Sequence, residues 1–311
     1  MAPFRSGFVA IVGLPNVGKS TLMNCLLGQK IAITSAKPQT TRNRILGVKN
    51  VEHGQLVLVD TPGLHRARGK GRSELNRYMV EQALAAIAEV DVVLVIIDLP
   101  EGPGLTHLEE GSAVIGPRYD ALRHALAKTK QPVVLAVNKI DRLRRKDLLL
   151  PLLDAWGKVH PFAAMLPIAA ATGEGVEPLT ELLWSLLPEG ERLFPEEMIT
   201  DRAERWLAAE MVREQVFHLT REEIPYAVAV AIDTFTERGK DVVIEATIHV
   251  EKEAQKRILV GEGGRMIREI GSRARREIGE LLSCPVHLHL FVKVNPEWSQ
   301  DPQRLRDLGY E

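Results

Sequence analysis

The feature that most constrains this chain is a glycine-rich loop near its start, Gly13-Leu-Pro-Asn-Val-Gly-Lys-Ser20. It follows a short apolar run at 8–12 and precedes a helical pattern, which is the context that a phosphate-binding loop requires. Glycines let several backbone N–H groups face one concavity, and the helix N-terminus adds positive potential. We therefore predict a phosphate site in which Lys19 contacts the terminal phosphates and Ser20 binds Mg²⁺.

The chain up to residue 186 alternates short β-branched runs with longer helical patterns. The runs at 8–12, 56–60, 92–98, 133–138 and 165–169 are continuously apolar, which is typical of parallel strands covered by helices on both faces. Residues 44–51 predict one further strand, antiparallel at an edge. We predict a doubly wound α/β nucleotide-binding domain over residues 1–186.

Two further motifs indicate which nucleotide binds. Asp60-Thr-Pro-Gly63 ends one predicted strand, where Asp60 can hold Mg²⁺ through water and the Gly63 N–H can contact a γ-phosphate. Asn138-Lys139-Ile-Asp141 ends another strand, where the Asp141 carboxylate can accept from guanine N1–H and its 2-amino group. Adenine lacks that pair of donors, so the three motifs in this order predict GTP and GDP as ligands.

The loop before the edge strand contains Thr40-Thr41-Arg42. A threonine there can complete the Mg²⁺ shell only when the γ-phosphate is present, which would make an order–disorder switch, and Thr41 is the predicted ligand. Leu64 follows Gly63 where Ras-like GTPases carry a water-orienting glutamine, so we expect slow intrinsic hydrolysis. Asn16 could supply an oxygen ligand for K⁺, or it could simply stabilise the loop.

The second half of the chain has a different pattern. Residues 187–199 contain two prolines and a glycine among charged residues and predict a linker. A helix from the candidate N-cap Asp201 to residue 219, strands at 227–235 and 241–250, helices at 254–259 and 266–281, and a last alternating strand follow. The order α-β-β-α-α-β predicts an α+β domain over residues 200–311.

Between the two later helices lies Gly261-Glu262-Gly263-Gly264. A GxxG loop lets a nucleic-acid backbone approach closely, as in KH domains. From Lys256 to Arg276 there are seven basic and two acidic residues, against a net charge of −1 for the whole chain. The basic residues could simply form a solvated helix face. RNA binding, in contrast, would explain both the GxxG loop and the positive charge around it. The predicted RNA-binding residues are Lys256, Arg257, Gly261, Glu262, Gly263, Gly264, Arg265, Arg268, Arg275 and Arg276.

Composition limits the remaining possibilities. The 311 residues include 40 Lys and Arg against 41 Asp and Glu, which excludes a chain coated in basic residues and requires any nucleic-acid surface to be local. Two cysteines exclude a disulfide scaffold. No apolar run reaches the roughly 18 residues that span a bilayer, so a cytoplasmic location is expected.

Taken together, these segments resemble the Era family of bacterial GTPases, which have an N-terminal GTPase domain and a C-terminal type II KH domain. The resemblance is carried by GLPNVGKS, KPQTTRNRILG, DTPGLH and NKID, and by TDRAERWLAAEMVREQVFHLTREEIPYAVAV, VGEGGRMIREIG and HLHLFVKVNPEW. It implies binding to the 3′ end region of small-subunit (16S) ribosomal RNA and a role in maturation of the 30S subunit. It also implies peripheral contact with the cytoplasmic face of the inner membrane, and we expect a monomer.

The resemblance also assigns roles to residues, and the chain departs from the family pattern in places. Ala169 stands where the family has a serine, Glu262 stands where a cation is more usual, and residues 99–132 are longer than usual and predict an extra loop. Lys19, Thr41 and Gly63 are expected to support hydrolysis. The nucleotide-binding set is Gly13, Asn16, Val17, Gly18, Lys19, Ser20, Thr21, Asp60, Gly63, Asn138, Lys139, Asp141 and Ala170, with Ser20, Thr41 and Asp60 as metal ligands.

The sequence thus predicts a GTP-driven RNA-binding switch. One alternative is a constitutive RNA-binding assembly factor in which GTP is structural, and Leu64 favours it. Another is an ATP-dependent nucleic-acid enzyme such as a kinase or helicase, against which the guanine motif at 138–141 argues.

Overall fold

A computed structural model describes residues 3–35, 37–64, 74–99, 115–143 and 145–310. The chain divides into two compact units, each with its own β-sheet. The first unit comprises Met1–Ile31, Thr41–Lys70 and Met79–Asp201, and the second comprises Ala32–Thr40, Gly71–Tyr78 and Arg202–Glu311. The second unit is therefore discontinuous in sequence, whereas the predicted boundaries treat each domain as one continuous stretch.

The sheet of the first unit has six strands in the order β2-β3-β1-β4-β5-β6. They are β1 (Arg5–Gly13), β2 (Ile45–Val51), β3 (Gly54–Asp60), β4 (Val92–Asp98), β5 (Val133–Asn138) and β6 (Ala164–Pro167). Only β2 is antiparallel to its neighbour, and it lies at an edge. The continuous apolar runs of β3 and β5 are buried along their full length, because helices cover both faces of the sheet. The predicted doubly wound fold and its antiparallel edge strand are confirmed.

This topology places the chemistry at one edge of the sheet. Parallel strands end at the same side, so the glycine loop after β1, Asp60 at the end of β3 and Asn138 at the end of β5 all lie at the carboxyl edge. β1 lies between β3 and β4, so successive connections leave it in opposite directions and open a crevice there.

The helices around this sheet are α1 (Lys19–Leu27), α2 (Glu74–Ala88), α3 (Asp120–Leu126), α4 (Leu149–Gly157) and α5 (Val176–Leu186). The predicted loop over 99–132 contains the helix α3, so the prediction is wrong for these residues. Leu122 and Leu126 of α3 are buried in the core of the first unit. The Gly-Pro pair at 116–117 precedes this helix and starts its short 3₁₀ turn. Residues 100–114 of that predicted loop lie outside the described residues.

The predicted linker, residues 187–199, packs against the sheet of the first unit. Leu187 is fully buried, and the Gln55 side chain accepts from the backbone N–H groups of Leu193 and Phe194 at 2.9 Å. The Val48 N–H donates to the Ile199 carbonyl at 2.7 Å. The predicted linker is therefore held along β2 and β3 by these hydrogen bonds.

The second unit contains a three-stranded sheet in the order β7-β8-β9, with β8 antiparallel to β7 and parallel to β9. Its elements are α6 (Glu204–Leu219), β7 (Ala229–Arg238), β8 (Asp241–Val250), α7 (Glu253–Val260), α8 (Arg265–Leu282), β9 (Val286–Val294) and α9 (Pro302–Asp307). The α-β-β-α-α-β order matches the prediction, and α9 is added at its end. The alternating residues of β8 pack with Ile270, Ala274 and Ile278 of α8 in one core.

The start of α6 differs from the prediction. Asp201 is not its N-cap, because the helix begins at Glu204 after Ala203. The Asp201 carboxylate instead accepts from the Leu46 N–H at 3.2 Å, in the first unit. Because the Asp201 side chain forms this long-range hydrogen bond, it does not cap the helix.

Candidate functional site

The glycine loop passes from the end of β1 directly into α1, whose first residue is Lys19. Gly18 has φ +101° and ψ 26°, and a Cβ added there would lie 2.2 Å from Asn138 Nδ2. Only glycine fits this close approach. The N-terminus of α1 therefore faces the loop with its backbone N–H groups, which is the arrangement that binds phosphate.

Three oxygen atoms converge beside this loop. Ser20 Oγ lies 2.6 Å from Asp60 Oδ2 and 2.8 Å from Thr41 Oγ1, and Thr41 Oγ1 lies 3.1 Å from the same carboxylate oxygen. All three residues are buried, and burial raises the pKa of Asp60. The other carboxylate oxygen, Oδ1, has no hydrogen-bond partner among the described residues.

These residues fit a magnesium ion. Mg²⁺ takes oxygen ligands at 2.0–2.1 Å in an octahedron, in which neighbouring ligands lie about 2.9 Å apart. The 2.8 Å between Ser20 Oγ and Thr41 Oγ1 matches that edge, and the Asp60 carboxylate beside both hydroxyls would hold the cation through water and be balanced by its charge. The structure brings together the three predicted metal ligands, Ser20, Thr41 and Asp60.

Lys19 is almost fully buried next to them. Its Nζ donates to the carbonyls of Leu14 at 2.9 Å and Gly13 at 3.4 Å, so the loop fixes the position of the amine. Burial lowers its pKa to about 8, and the charge of Asp60 opposes that change. The Lys19 amine donates to carbonyls and not to a carboxylate. A phosphate oxygen could therefore bind it, because the negative charge would replace the hydration that the buried amine has lost.

Asn138 connects the loops on the base side of the site. Its Nδ2 donates to the Val17 carbonyl at 2.8 Å, and its Oδ1 accepts from the Ala170 N–H at 2.9 Å. Lys139 donates to the Asn16 carbonyl at 2.7 Å and pairs with Asp98 at 3.2 Å. Asp141, the predicted base-reading carboxylate, is exposed. A cavity of about 450 Å³ opens beside Thr21 and Ala170.

The segment after Asp60 packs tightly against the glycine loop. A Cβ on Gly63 would lie 2.7 Å from Pro15, and the Leu64 N–H donates to the Gly13 carbonyl at 2.9 Å. The Leu64 side chain is 1% exposed, so it points into the first unit and not toward solvent. This position contributes packing, and an apolar side chain cannot orient a water molecule.

The second unit contains a groove between α8 and the edge strand β9. Its volume is about 420 Å³, and its lining residues are Ile267, Arg268, Gly271, Ser272, Arg275, Leu288, His289, Leu290 and Phe291. The GxxG loop precedes α8 and has positive φ at Gly261, Gly263 and Gly264. A Cβ on Gly261 would lie 2.8 Å from Met266, whereas nothing lies within 4 Å of one on Gly263 or Gly264.

The structure separates the predicted RNA-binding residues. Arg268 and Arg275 line the groove, whereas Lys256, Arg257 and Arg276 are not among its lining residues. Arg268 also donates to the Gly263 carbonyl at 2.7 Å, which braces the loop. The two exposed residues Glu262 and Arg265 form an ion pair at 3.2 Å, so the acidic residue of the loop has a cation beside it.

Sequence reasoning missed the aromatic side of the groove. Phe291 is 55% exposed, and His289 lies on the same strand face. The alternating pattern predicted for the last strand already implied that Phe291 lies on the face opposite Leu288 and Leu290. An exposed phenylalanine beside basic residues is a surface on which a base can stack.

The comparisons with known proteins agree with this geometry. A family described as 50S ribosome-binding GTPase matches residues 8–139, and one described as KH domain matches residues 223–299. GTPase Era of Geobacter metallireducens is 50% identical over 310 residues, which cover 99% of this chain and 98% of that protein. The chain belongs to the GTPase Era family. GTPase Era of Lactobacillus delbrueckii subsp. bulgaricus is 45% identical over a region that covers 99% of this chain and 96% of that protein.

Two solved Era structures share the fold over the whole chain. One is Era in complex with MgGDPNP and nucleotides 1506–1542 of 16S ribosomal RNA, and it is 42% identical with a TM-score of 0.90. The other, a variant of Aquifex aeolicus Era bound to GDP.AlF4⁻, has the same identity and TM-score. Each covers 99% of this chain and 99% of its own.

Membership in the Era family confirms the predicted resemblance, the P-loop GTPase fold followed by a KH domain, and the assignment as a GTPase. In the part of the chain that the structure describes, no helix has the length and apolar character needed to cross a membrane.

Proposed function

We propose that this Era-family GTPase is a GTP- and Mg²⁺-dependent switch that binds the 3′ end region of 16S ribosomal RNA and assists maturation of the 30S subunit. The observation that carries the proposal is the position of Thr41, whose hydroxyl lies within hydrogen-bond distance of both Ser20 and Asp60. A threonine on a connecting segment makes the state of that segment depend on the γ-phosphate.

The residues of the first unit would act as follows. The N-terminus of α1 and Lys19 hold the phosphates, while Ser20, Thr41 and Asp60 hold Mg²⁺, which neutralises charge that develops on the phosphate oxygens. Gly63 packs against Pro15 of the glycine loop, and Asn138 fixes the loops on the base side. Hydrolysis would be slow because the buried Leu64 cannot position water.

The residues of the second unit would bind RNA in the α8–β9 groove. Arg268 and Arg275 supply positive charge, the GxxG loop allows close approach of the backbone, and Phe291 offers a stacking surface. The solved Era complex with nucleotides 1506–1542 of 16S ribosomal RNA supports this choice of RNA.

Several smaller assignments belong to the same proposal. Asn16 is exposed with φ +65°, and its side-chain oxygen would be a ligand for K⁺, which a comparison of hydrolysis in KCl and NaCl tests. The two cysteines are unpaired, as a reducing cytoplasm would keep them. A monomer with peripheral membrane contact is the remaining expectation, and it rests on the family resemblance alone.

A labelled oligonucleotide copying the 3′ end of 16S ribosomal RNA tests the proposal. It would be titrated with the protein in a non-hydrolysable GTP analogue, in GDP and in an ATP analogue. Binding at least about fivefold tighter in the GTP-analogue state supports the switch and the choice of guanine. Equal binding in all three would instead select the constitutive RNA-binding factor, and tightest binding with the ATP analogue would select the ATP-dependent enzyme.

A further inference from the structure

Helix α6 in the second unit carries charged side chains that are buried. Arg213 and Glu214 are 1% and 0% exposed, and Gln215 is 2% exposed. Charged groups are rarely buried unless they are paired, because the loss of hydration is costly. Gln215 donates to Glu277 Oε1 of α8 at 2.9 Å, so Arg213 and Glu214 are the two buried residues whose partners outside α6 remain to be found.

Those partners come from the segment Ala32–Thr40, which belongs to the same unit. Glu214 Oε1 accepts from the Thr34 N–H at 2.8 Å, and the His218 ring lies 3.0 Å from the Thr34 carbonyl. Lys37 donates to the carbonyls of Phe217 and Thr220, at the end of α6 where helical carbonyls lack partners. The segment is therefore bound along the C-terminal half of α6 by side chain and backbone.

Arg213 holds the end of this segment. Its Nε donates to Glu210 Oε1 at 2.7 Å, and its Nη2 donates both to Glu210 and to the Thr40 carbonyl. The guanidinium lies 5.3 Å from the centre of the Phe217 ring. These contacts fix the guanidinium from three sides, so its hydrogen bond to Thr40 has a defined direction.

The Thr40 carbonyl belongs to the peptide group that joins Thr40 to Thr41. A peptide group is planar, so fixing its oxygen also fixes the nitrogen of Thr41. Thr41 Oγ1 in turn lies 2.8 Å from Ser20 Oγ and 3.1 Å from Asp60 Oδ2. One peptide plane thus connects the Arg213 guanidinium to the hydroxyl that completes the metal-ligand set.

We propose that Arg213 is a positioning residue for GTP binding and hydrolysis, because it orients the Thr40–Thr41 peptide so that the Thr41 hydroxyl reaches Mg²⁺. This inference rests on the proposed role of Thr41 as a ligand of the GTP state. It adds that an arginine of the RNA-binding unit helps to select that state, although it does not touch the nucleotide.

A positioning role predicts a difference between nucleotides. Thr41 would serve as a ligand only with the γ-phosphate, so loss of Arg213 should weaken binding of a GTP analogue in Mg²⁺ and leave GDP affinity unchanged. We expect a loss of about five- to tenfold for the analogue, within the usual range of coupling between sites. Single-turnover hydrolysis should slow by a similar factor.

The test uses the whole chain, four single variants and the double variant Thr41→Ala/Arg213→Met. Arg213→Met removes the donors, and Arg213→Lys retains the charge in case the first variant does not fold. Thr41→Ala reports the effect of the ligand itself. Arg205→Met is the matched control, because Arg205 is an exposed arginine of the same helix that donates to the Ile232 carbonyl at 2.6 Å. Thermal unfolding and GDP affinity verify that each variant is folded.

The outcomes separate the inference from the function on which it rests. The inference holds if Arg213→Met weakens only the GTP-analogue complex, Arg213→Lys restores part of the affinity, Arg205→Met has no effect, and Arg213→Met adds nothing to Thr41→Ala. If Thr41→Ala weakens the analogue and neither Arg213 variant does, the inference is wrong and the switch stands. If Thr41→Ala also leaves analogue affinity unchanged, the proposed function itself fails.

Discussion

At the scale of single residues, the nucleotide site depends on polar groups that are buried and held by other parts of the site. The side-chain amide of Asn138 donates to the backbone of one loop and accepts from the backbone of another. Lys19 donates to two carbonyls of the glycine loop. Such residues lose little conformational freedom when a ligand binds, because the fold has already fixed them.

Lys19→Ala should weaken GTP and GDP alike. The variant loses charge-assisted hydrogen bonds to phosphate, which contribute about 1.5–3 kcal/mol, or roughly tenfold to more than a hundredfold in affinity. It should still fold, because removing a buried amine also removes its desolvation cost. Isothermal titration with each nucleotide measures the loss, and a thermal unfolding midpoint within a few degrees of the parent protein is the control. Unchanged affinity for both nucleotides would contradict the predicted role.

Leu64→Gln should not create a faster GTPase. The Leu64 side chain is buried, so a glutamine there would bury an amide at a cost of about 1–3 kcal/mol of folding free energy. We expect a lower urea midpoint and single-turnover hydrolysis within about twofold of the parent protein. A tenfold acceleration would show that this position can turn toward the nucleotide, contrary to the packing described above.

At the scale of elements, the start of α8 determines what the GxxG loop can do. Gly261 is confined by Met266, so a side chain there would distort the loop itself. Gly263 has φ +58° and ψ 23° with open space around it, a conformation that aspartate and asparagine tolerate. Gly263 is therefore the better position for a test of charge.

Gly263→Asp should weaken RNA binding more than Gly263→Asn, because the two side chains have the same shape and differ in charge. We expect a difference of roughly three- to tenfold that shrinks as salt is raised, since phosphate contacts are screened. Fluorescence anisotropy with the 16S 3′-end oligonucleotide at two salt concentrations measures it, and GTP hydrolysis should not change. Equal affinities for the two variants would place the RNA backbone away from this loop.

Elements with a local signal were predictable, and elements set by distant partners were not. The buried strands β3 and β5 were identified because a continuous apolar run between helical patterns has few other solutions. The start of α6 was misplaced because Asp201 bonds to Leu46, 155 residues away in sequence. The helix α3 was missed because Gly-Pro pairs nearby indicated a loop. The motifs that carry the predicted nucleotide-binding residues were recognisable because they follow strand ends.

At the scale of the whole molecule, the proposed switch requires that RNA and nucleotide affect each other equally. Linkage makes the coupling reciprocal for binding free energies. If the GTP analogue tightens RNA binding by some factor, saturating RNA must tighten binding of the analogue by the same factor. RNA should then favour binding of the analogue over binding of GDP. Titrating each ligand in the presence and absence of the other measures both factors. Unequal factors would indicate a third component, and a factor of one would remove the switch.

The segment 32–40 could not be assigned to the second unit from sequence. Its partners Arg213, Glu214 and Phe217 follow it by more than 170 residues, and no periodicity connects them to it. The one available signal was the composition of α6, in which charged residues occur on every face. A helix of this kind indicates that something polar covers it, although the pattern does not say which segment.

The placement of that segment also has a consequence in time. Thr40 leaves the ribosome long before Arg213, which follows it by 173 residues. At about 5–20 residues per second, the residues of 32–40 wait roughly 9–35 s before the helix that binds them has been synthesised. During that interval the glycine loop and its sheet can already fold. A newborn chain would therefore acquire its nucleotide pocket first and the fixed position of Thr40 only near the end of synthesis.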